Sequence, residues 1–172
     1  MKAAGVILAL AGALALQTTL AGLTIGGATA VNLVLVAVVY VALVFGPVTG
    51  LLAGSAGGLV QDALAGGIVG IGGLSKTIVG FGVGVLGAQF IVAQPVPRFV
   101  MFVGATLVHE LCFQALYALV DARPFAWRWT TVFTQAAVNG IVGIIAFQIV
   151  ELGPGLLQRR EARGNTIGRR RY

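Results

Sequence analysis

Four ionisable side chains, Asp62, Lys76, His109 and Glu110, stand inside long apolar runs, and any chemistry the chain performs within those runs would have to rest on them. His109 and Glu110 are adjacent, so on a helix they point about 100° apart and do not share a target. The His-Glu pair does not open a His-Glu-x-x-His zinc motif, because the chain has a single histidine and a metal would lack ligands. No serine stands beside a base, no phosphate-binding loop is present, and the carboxylates are too few for paired acid–base work. These residues point to a protein that is not an enzyme and needs no metal or cofactor.

The elements that hold these residues are set by composition. Hydrophobic residues make up 58% of the 172 and charged residues 9%, with a mean hydropathy of +1.00, against about 25% charged in an ordinary soluble domain. The chain therefore reads as an all-α polytopic membrane protein. Its length leaves room for about six helices of roughly 20–25 residues each and for no soluble catalytic domain. The single cysteine, Cys112, lies in an apolar span and reads as a packing residue.

Apolar runs and breaks place the spans at 3–25, 31–45, 47–64, 74–93, 99–120 and 127–152, which makes 1–153 a transmembrane bundle and 154–172 a basic tail. The first run is longer than a secretory h-region and reads as a retained helix, with cleavage at the Ala28-Thr29-Ala30 triplet as the alternative. The valine-rich second run reads as lipid-facing. Gly46 and Pro47 break it, and Pro47 suits the first turn of the next helix. Gln94, Pro95, Pro97 and Arg98 read as a tight turn. Phe125, Trp127 and Trp129, beside Asp121, Arg123 and Arg128, read as an interfacial belt.

The tail carries Arg159, Arg160, Arg163, Arg169, Arg170 and Arg171 against Glu161, so nearly all of the net charge of +6 sits there. By the positive-inside bias the tail is cytoplasmic, and an even number of spans puts the N-terminus on the same side. The tail's charge suits anionic lipid, at about 1 kcal/mol per basic residue near the surface. It does not suggest nucleic acid.

Within the third and fourth spans, Gly50, Gly54, Gly58 and Asp62 recur every four residues and form one helical stripe; Lys76, Gly80 and Gly84 form a second. In water each interior glycine would cost about 1 kcal/mol relative to alanine. In lipid, small residues at this spacing let helix backbones approach closely. The two stripes can meet as a hairpin. Asp62 at the end of one helix and Lys76 near the start of the next each oppose the local helix dipole, and an Asp62–Lys76 ion pair would offset that penalty. Two rivals remain: Asp62 capping N–H groups of the 66–73 turn, or Lys76 reaching lipid headgroups or a partner.

The fifth and sixth spans carry polar stripes, Thr106, Glu110, Gln114 and Tyr117 on one and Thr131, Gln135, Asn139 and Gly143 on the other. Counting from a turn centred near Arg123 sets Asn139 level with Glu110. A mid-membrane carboxyl costs about 2.5–3.5 kcal/mol on insertion scales and should face the bundle or a cavity. Interhelical hydrogen bonding accounts for this cluster of Thr106, Glu110, Gln114, Gln135 and Asn139, with a ligand or proton site as the alternative.

The run from Gly50 to Gly84 also resembles the core signature of the MreD family of rod-shape-determining inner-membrane proteins. In that family a glycine-bearing helix ends in G-L-x-x-D, matched by Gly58, Leu59 and Asp62; a glycine-containing turn follows, matched by Gly70; then comes a helix with G-F and a further glycine, matched by Gly80, Phe81 and Gly84. Lys76 is no part of that pattern. The resemblance covers about a fifth of the chain. It implies a non-enzymatic scaffold of the cell-wall elongation complex that binds MreC and helps couple MreB filaments to the peptidoglycan glycosyltransferase/transpeptidase pair. It also implies a six-helix fold similar to the substrate-binding subunits of energy-coupling-factor transporters. That likeness supplies an alternative function, a solute- or vitamin-binding membrane subunit. Gly54, Gly58, Asp62, Lys76, Gly80 and Gly84 are then the expected packing and partner-binding residues.

Overall fold

A computed structural model describes residues 2–19, 24–25, 28–29, 31–90, 94–121 and 129–168. Six helices make up nearly all of it: α1 Lys2–Thr19, α2 Leu33–Phe45, α3 Pro47–Ala65, α4 Ile71–Gln89, α5 Pro95–Val120 and α6 Trp129–Gly168. Between α1 and α2, β1 Thr24–Ile25 pairs antiparallel with β2 Ala28–Thr29. Among the described residues, three segments, Ile71–Gln89, Pro95–Val120 and Trp129–Glu151, are long and apolar enough to cross a membrane. The architecture is that of a helical membrane protein, with outward-facing side chains such as Leu8, Leu52, Val100, Leu119 and Ile149 leaving apolar surface for lipid.

The centre of the bundle is α2. Val34, Leu35, Val36, Val38, Val39, Val41 and Ala42 are all buried, and the helix touches each of the other five. The lipid-facing reading of the valine run is thereby overturned. A helix that is apolar all round is equally suited to a core, and here the neighbouring helices surround it. At 13 residues it rises about 20 Å, well short of the roughly 30 Å of hydrocarbon a spanning helix must cross.

Other boundaries shift for local reasons. The first helix stops at Thr19, not near Ile25, where Thr18 and Thr19 turn their hydroxyls onto the Ala15 carbonyl and Gln17 binds the chain entering α2. The expected turn at 94–98 is instead the first turn of α5, which begins at Pro95 with Gln94 as its N-cap; proline at this position surrenders an N–H that has no partner in any case. The fourth helix begins at Ile71 and ends at Gln89, not at 74 and 93. Helix α6 continues past Leu152 through Pro154 to Gly168, so no break in the helix separates bundle from tail. Of the expected interfacial belt, Phe125, Trp127, Arg123 and Arg128 lie outside the described residues; Trp129 is exposed and stacks on Phe133, with ring centroids 5.7 Å apart.

Candidate functional site

Helices α3 and α4 form an antiparallel hairpin in contact backbone to backbone. A methyl group on Gly54 would overlap the Lys76 carbonyl, one on Gly50 the Gly80 carbonyl, and one on Gly84 the backbone of Pro47; on Gly58 it would strike the Cα of Gly73. The approach leaves no room for any side chain along this seam, which is why small residues are needed there. Gly66, with φ +68°, ends α3 in the left-handed region, and Gly70, with φ +110°, opens α4. Both positions favour glycine because a Cβ would be strained there.

Asp62 closes this hairpin by capping. Its Oδ2 accepts from the Gly70 N–H at 2.9 Å and from the Gly73 N–H at 3.0 Å. Gly70 and Gly73 are the N-cap and third residue of α4, so one carboxylate on α3 does for α4 what an N-cap side chain ordinarily does. Its charge also suits the positive end of that helix. No ion pair joins Asp62 to Lys76: the expected pair is absent, because the carboxylate is turned onto the backbone amides. Lys76 is buried, 2% exposed, and makes no hydrogen bond or ion pair.

Behind the hairpin a second polar group ties α2, α5 and α6 together. Asn139, fully buried, donates from Nδ2 to Thr106 Oγ1 at 3.1 Å and accepts at Oδ1 from the Asn32 N–H at 3.0 Å. Thr106 in turn donates to the Phe102 carbonyl at 2.9 Å. Asn32 caps α2 by accepting the Leu35 N–H at 3.1 Å, and its Nδ2 lies 3.5 Å from His109 Nε2. Gln17 completes the collar around the start of α2, donating to the Val31 carbonyl at 3.0 Å and accepting from the Leu33 N–H at 2.7 Å. The Asn32, Leu33 and Leu35 N–H groups at the start of α2 are thus satisfied by side chains, as backbone held away from water requires.

Asn139 therefore meets Thr106 and not Glu110, correcting the expected register by one helical turn. The rings of Phe99 and Phe102 seat against Gly140 and Gly143, where no side chain would fit, and this contact fixes α5 on α6. Glu110 is half-buried and makes no hydrogen bond; it lies on the α4 side, within electrostatic reach of Lys76. Gln135 is buried and Gln114 half-buried, but neither joins the Asn139 network. Tyr117 accepts the Ile68 N–H at 3.4 Å, tying α5 to the α3–α4 turn.

Sequence reasoning passed over three participants. Asn32 and Gln17 are polar residues flanking the first turn of a valine-rich helix, and that placement was the available signal for capping. Arg98 pairs with Glu151 through two hydrogen bonds at 3.0 and 2.6 Å and lies 4.3 Å above the Phe147 ring, joining the start of α5 to α6. Among the described residues, no group of three or more His, Cys, Asp or Glu side chains is placed to hold a metal. A scan against family models and searches of curated proteins and solved structures find no match to this chain.

Proposed function

We propose that the chain is a non-enzymatic scaffold subunit of the bacterial cell-wall elongation complex, an MreD-like protein that binds MreC and helps couple MreB filaments to the peptidoglycan glycosyltransferase/transpeptidase pair. The observation that carries this reading is the α3–α4 hairpin. The residues on which the resemblance rests, Gly58, Asp62, Gly70, Gly80 and Gly84, are those that bring the two backbones together and close the turn between them. A rigid hairpin with apolar outward residues such as Leu52, Leu59, Ile78 and Phe81 offers a partner's transmembrane helix a fixed surface.

In this reading the chain is a six-helix bundle similar to the substrate-binding subunits of energy-coupling-factor transporters, with the short α2 enclosed by the other five helices, set in the inner membrane with both termini cytoplasmic and the arginine-rich end of α6 beside anionic lipid. Depletion of the protein in its own host tests it. Loss of rod shape and of dispersed side-wall synthesis is expected; unchanged shape and wall insertion would overturn it. The alternative, a solute-binding membrane subunit, is favoured by one observation, the unengaged Lys76 and Glu110 inside the bundle.

A further inference from the structure

Helix α1 packs on α2 and α3, and between it and α6 an open groove runs along the bundle with a strip of α2 as its floor. Gly12 and Ala13 of α1, Val36 and Tyr40 of α2, and Ala146 and Ile149 of α6 line it, and Tyr40 is the sole polar side chain among its described lining residues. Its walls extend from Leu8 to Leu16 on α1 and from Val142 to Val150 on α6, about 12 Å at the rise of an α-helix. A volume of about 430 Å³ over that length leaves a cross-section of roughly 35 Å², less than half the roughly 80 Å² of a helix about 10 Å across. The groove is therefore too narrow to seat another helix and suits an extended hydrocarbon chain. Left empty beside lipid, its walls would forfeit dispersion contacts.

Charge at one end of the groove selects the kind of lipid. Gln17 binds the chain entering α2, whereas Ala3 and Phe45 line a common cavity, so α1 runs antiparallel to α2 and starts beside its end. Tyr40 and Phe147 have ring centroids 4.6 Å apart, and Arg98 lies over the same Phe147 ring, which brings the start of α5 to this end as well. Lys2, in the first turn of α1, and Arg98 therefore stand at one end of the bundle, and α6 continues from there with Arg159 and Arg160 in its helix. Against these basic residues stand Glu151, paired with Arg98, and Glu161. We propose that the groove between α1 and α6 seats one acyl chain of an anionic phospholipid, with its phosphate at the Lys2 and Arg98 end. A zwitterionic lipid would fill the apolar walls equally well and leave the positive balance at the mouth uncompensated. The seated chain closes the gap between α1 and α6. The proposal does not rest on the scaffold reading, since it concerns the chain alone.

The test uses the full chain in detergent with phosphatidylglycerol carrying a photoreactive diazirine in one acyl chain, followed by peptide mass mapping of the cross-links. Labels should concentrate on the facing walls of α1, α2 and α6. Unlabelled phosphatidylglycerol should displace them about tenfold more effectively than phosphatidylcholine with the same acyl chains, as two basic residues near the headgroup provide. A side chain at Gly12 would meet nothing within 4 Å, so Gly12→Leu fills the groove without disturbing the bundle and should cut the labelling severalfold. Ala146→Phe should do the same from the opposite wall, whereas Ile141→Phe, on the exposed face of α6 outside the groove, should change nothing. The wild-type map decides the location even if a variant fails to fold. The proposal is overturned if labels spread evenly over the outward faces of all the helices, if phosphatidylcholine competes equally, or if Gly12→Cys in a Cys112→Ala background instead forms a disulfide with a second copy. Failure to recover MreC with the chain would leave this result untouched.

Discussion

Asp62 and Gly73 are joined by a 3.0 Å hydrogen bond from the Gly73 N–H to the Asp62 carboxylate, across a turn that begins and ends with left-handed glycines. With the Gly70 N–H on the same oxygen, a side chain on α3 caps α4. Asp62→Ala should therefore cost about 1–2 kcal/mol, in the range of a lost N-cap. Asp62→Asn, which keeps an acceptor and loses the charge, should cost less. A double-mutant cycle with Lys76→Gln, read by unfolding in detergent, should show coupling well below the cost of Asp62→Ala alone. Coupling as large as that cost would restore the ion pair.

The glycine seam supplies an internal control. A side chain on Gly50, Gly54 or Gly80 would overlap the backbone of the other helix, whereas Gly82, on the same helix as Gly80, has open space around it. Gly54→Val should destabilise by about 1–3 kcal/mol or more through overpacking. Gly82→Ala should be neutral or stabilising by up to about 1 kcal/mol, since alanine is the better helix former. Thermal unfolding of the two purified variants checks the contrast. Equal effects would mean that α3 and α4 do not meet along this seam.

Asn139 is the hub of the second polar group. Asn139→Leu leaves the Asn32 N–H and the Thr106 hydroxyl oxygen without their partner, at an expected cost of about 1–3 kcal/mol. Glu110→Gln should be tolerated by the fold, because the Glu110 carboxyl makes no hydrogen bond. Unfolding measurements on both variants distinguish them. If Glu110→Gln proves as damaging to stability as Asn139→Leu, the assignment of the hub is wrong.

The Arg98–Glu151 pair predicts an asymmetry. Arg98→Ala removes both the paired hydrogen bonds and the stack on Phe147, whereas Glu151→Gln leaves the stack and one acceptor oxygen in place. The arginine variant should therefore be the less stable of the two. Raising the salt concentration should narrow the gap between wild type and Glu151→Gln, since exposed pairs are screened.

Some of this arrangement was legible in the residue order. The four-residue spacing of Gly50, Gly54 and Gly58, and of Lys76, Gly80 and Gly84, marks the two lines along which the hairpin helices meet, because a stripe of missing side chains has meaning wherever backbones must touch. For Asp62, spacing alone left two roles open, pairing with Lys76 or capping the 66–73 turn, and only the position of the Gly70 and Gly73 N–H groups separates them. The burial of α2 was not legible, since a run of valines suits lipid and core equally. Nor was the pairing of Asn139 with Thr106, because a shift of one turn depends on how Phe99 and Phe102 seat against Gly140 and Gly143. His109 was set aside for want of a second metal ligand, yet its neighbour Asn32 stands at the far end of another helix.

Recovery of the tagged chain from its host's membranes in mild detergent, followed by identification of what accompanies it, tests the scaffold reading most directly. MreC should accompany the wild-type chain and Gly82→Ala in comparable amounts. Gly54→Val, which forces the hairpin apart, should recover markedly less MreC per unit of chain. Absence of MreC in several mild detergents, with a small solute retained by the wild-type chain in its place, would contradict the scaffold and favour a solute-binding subunit.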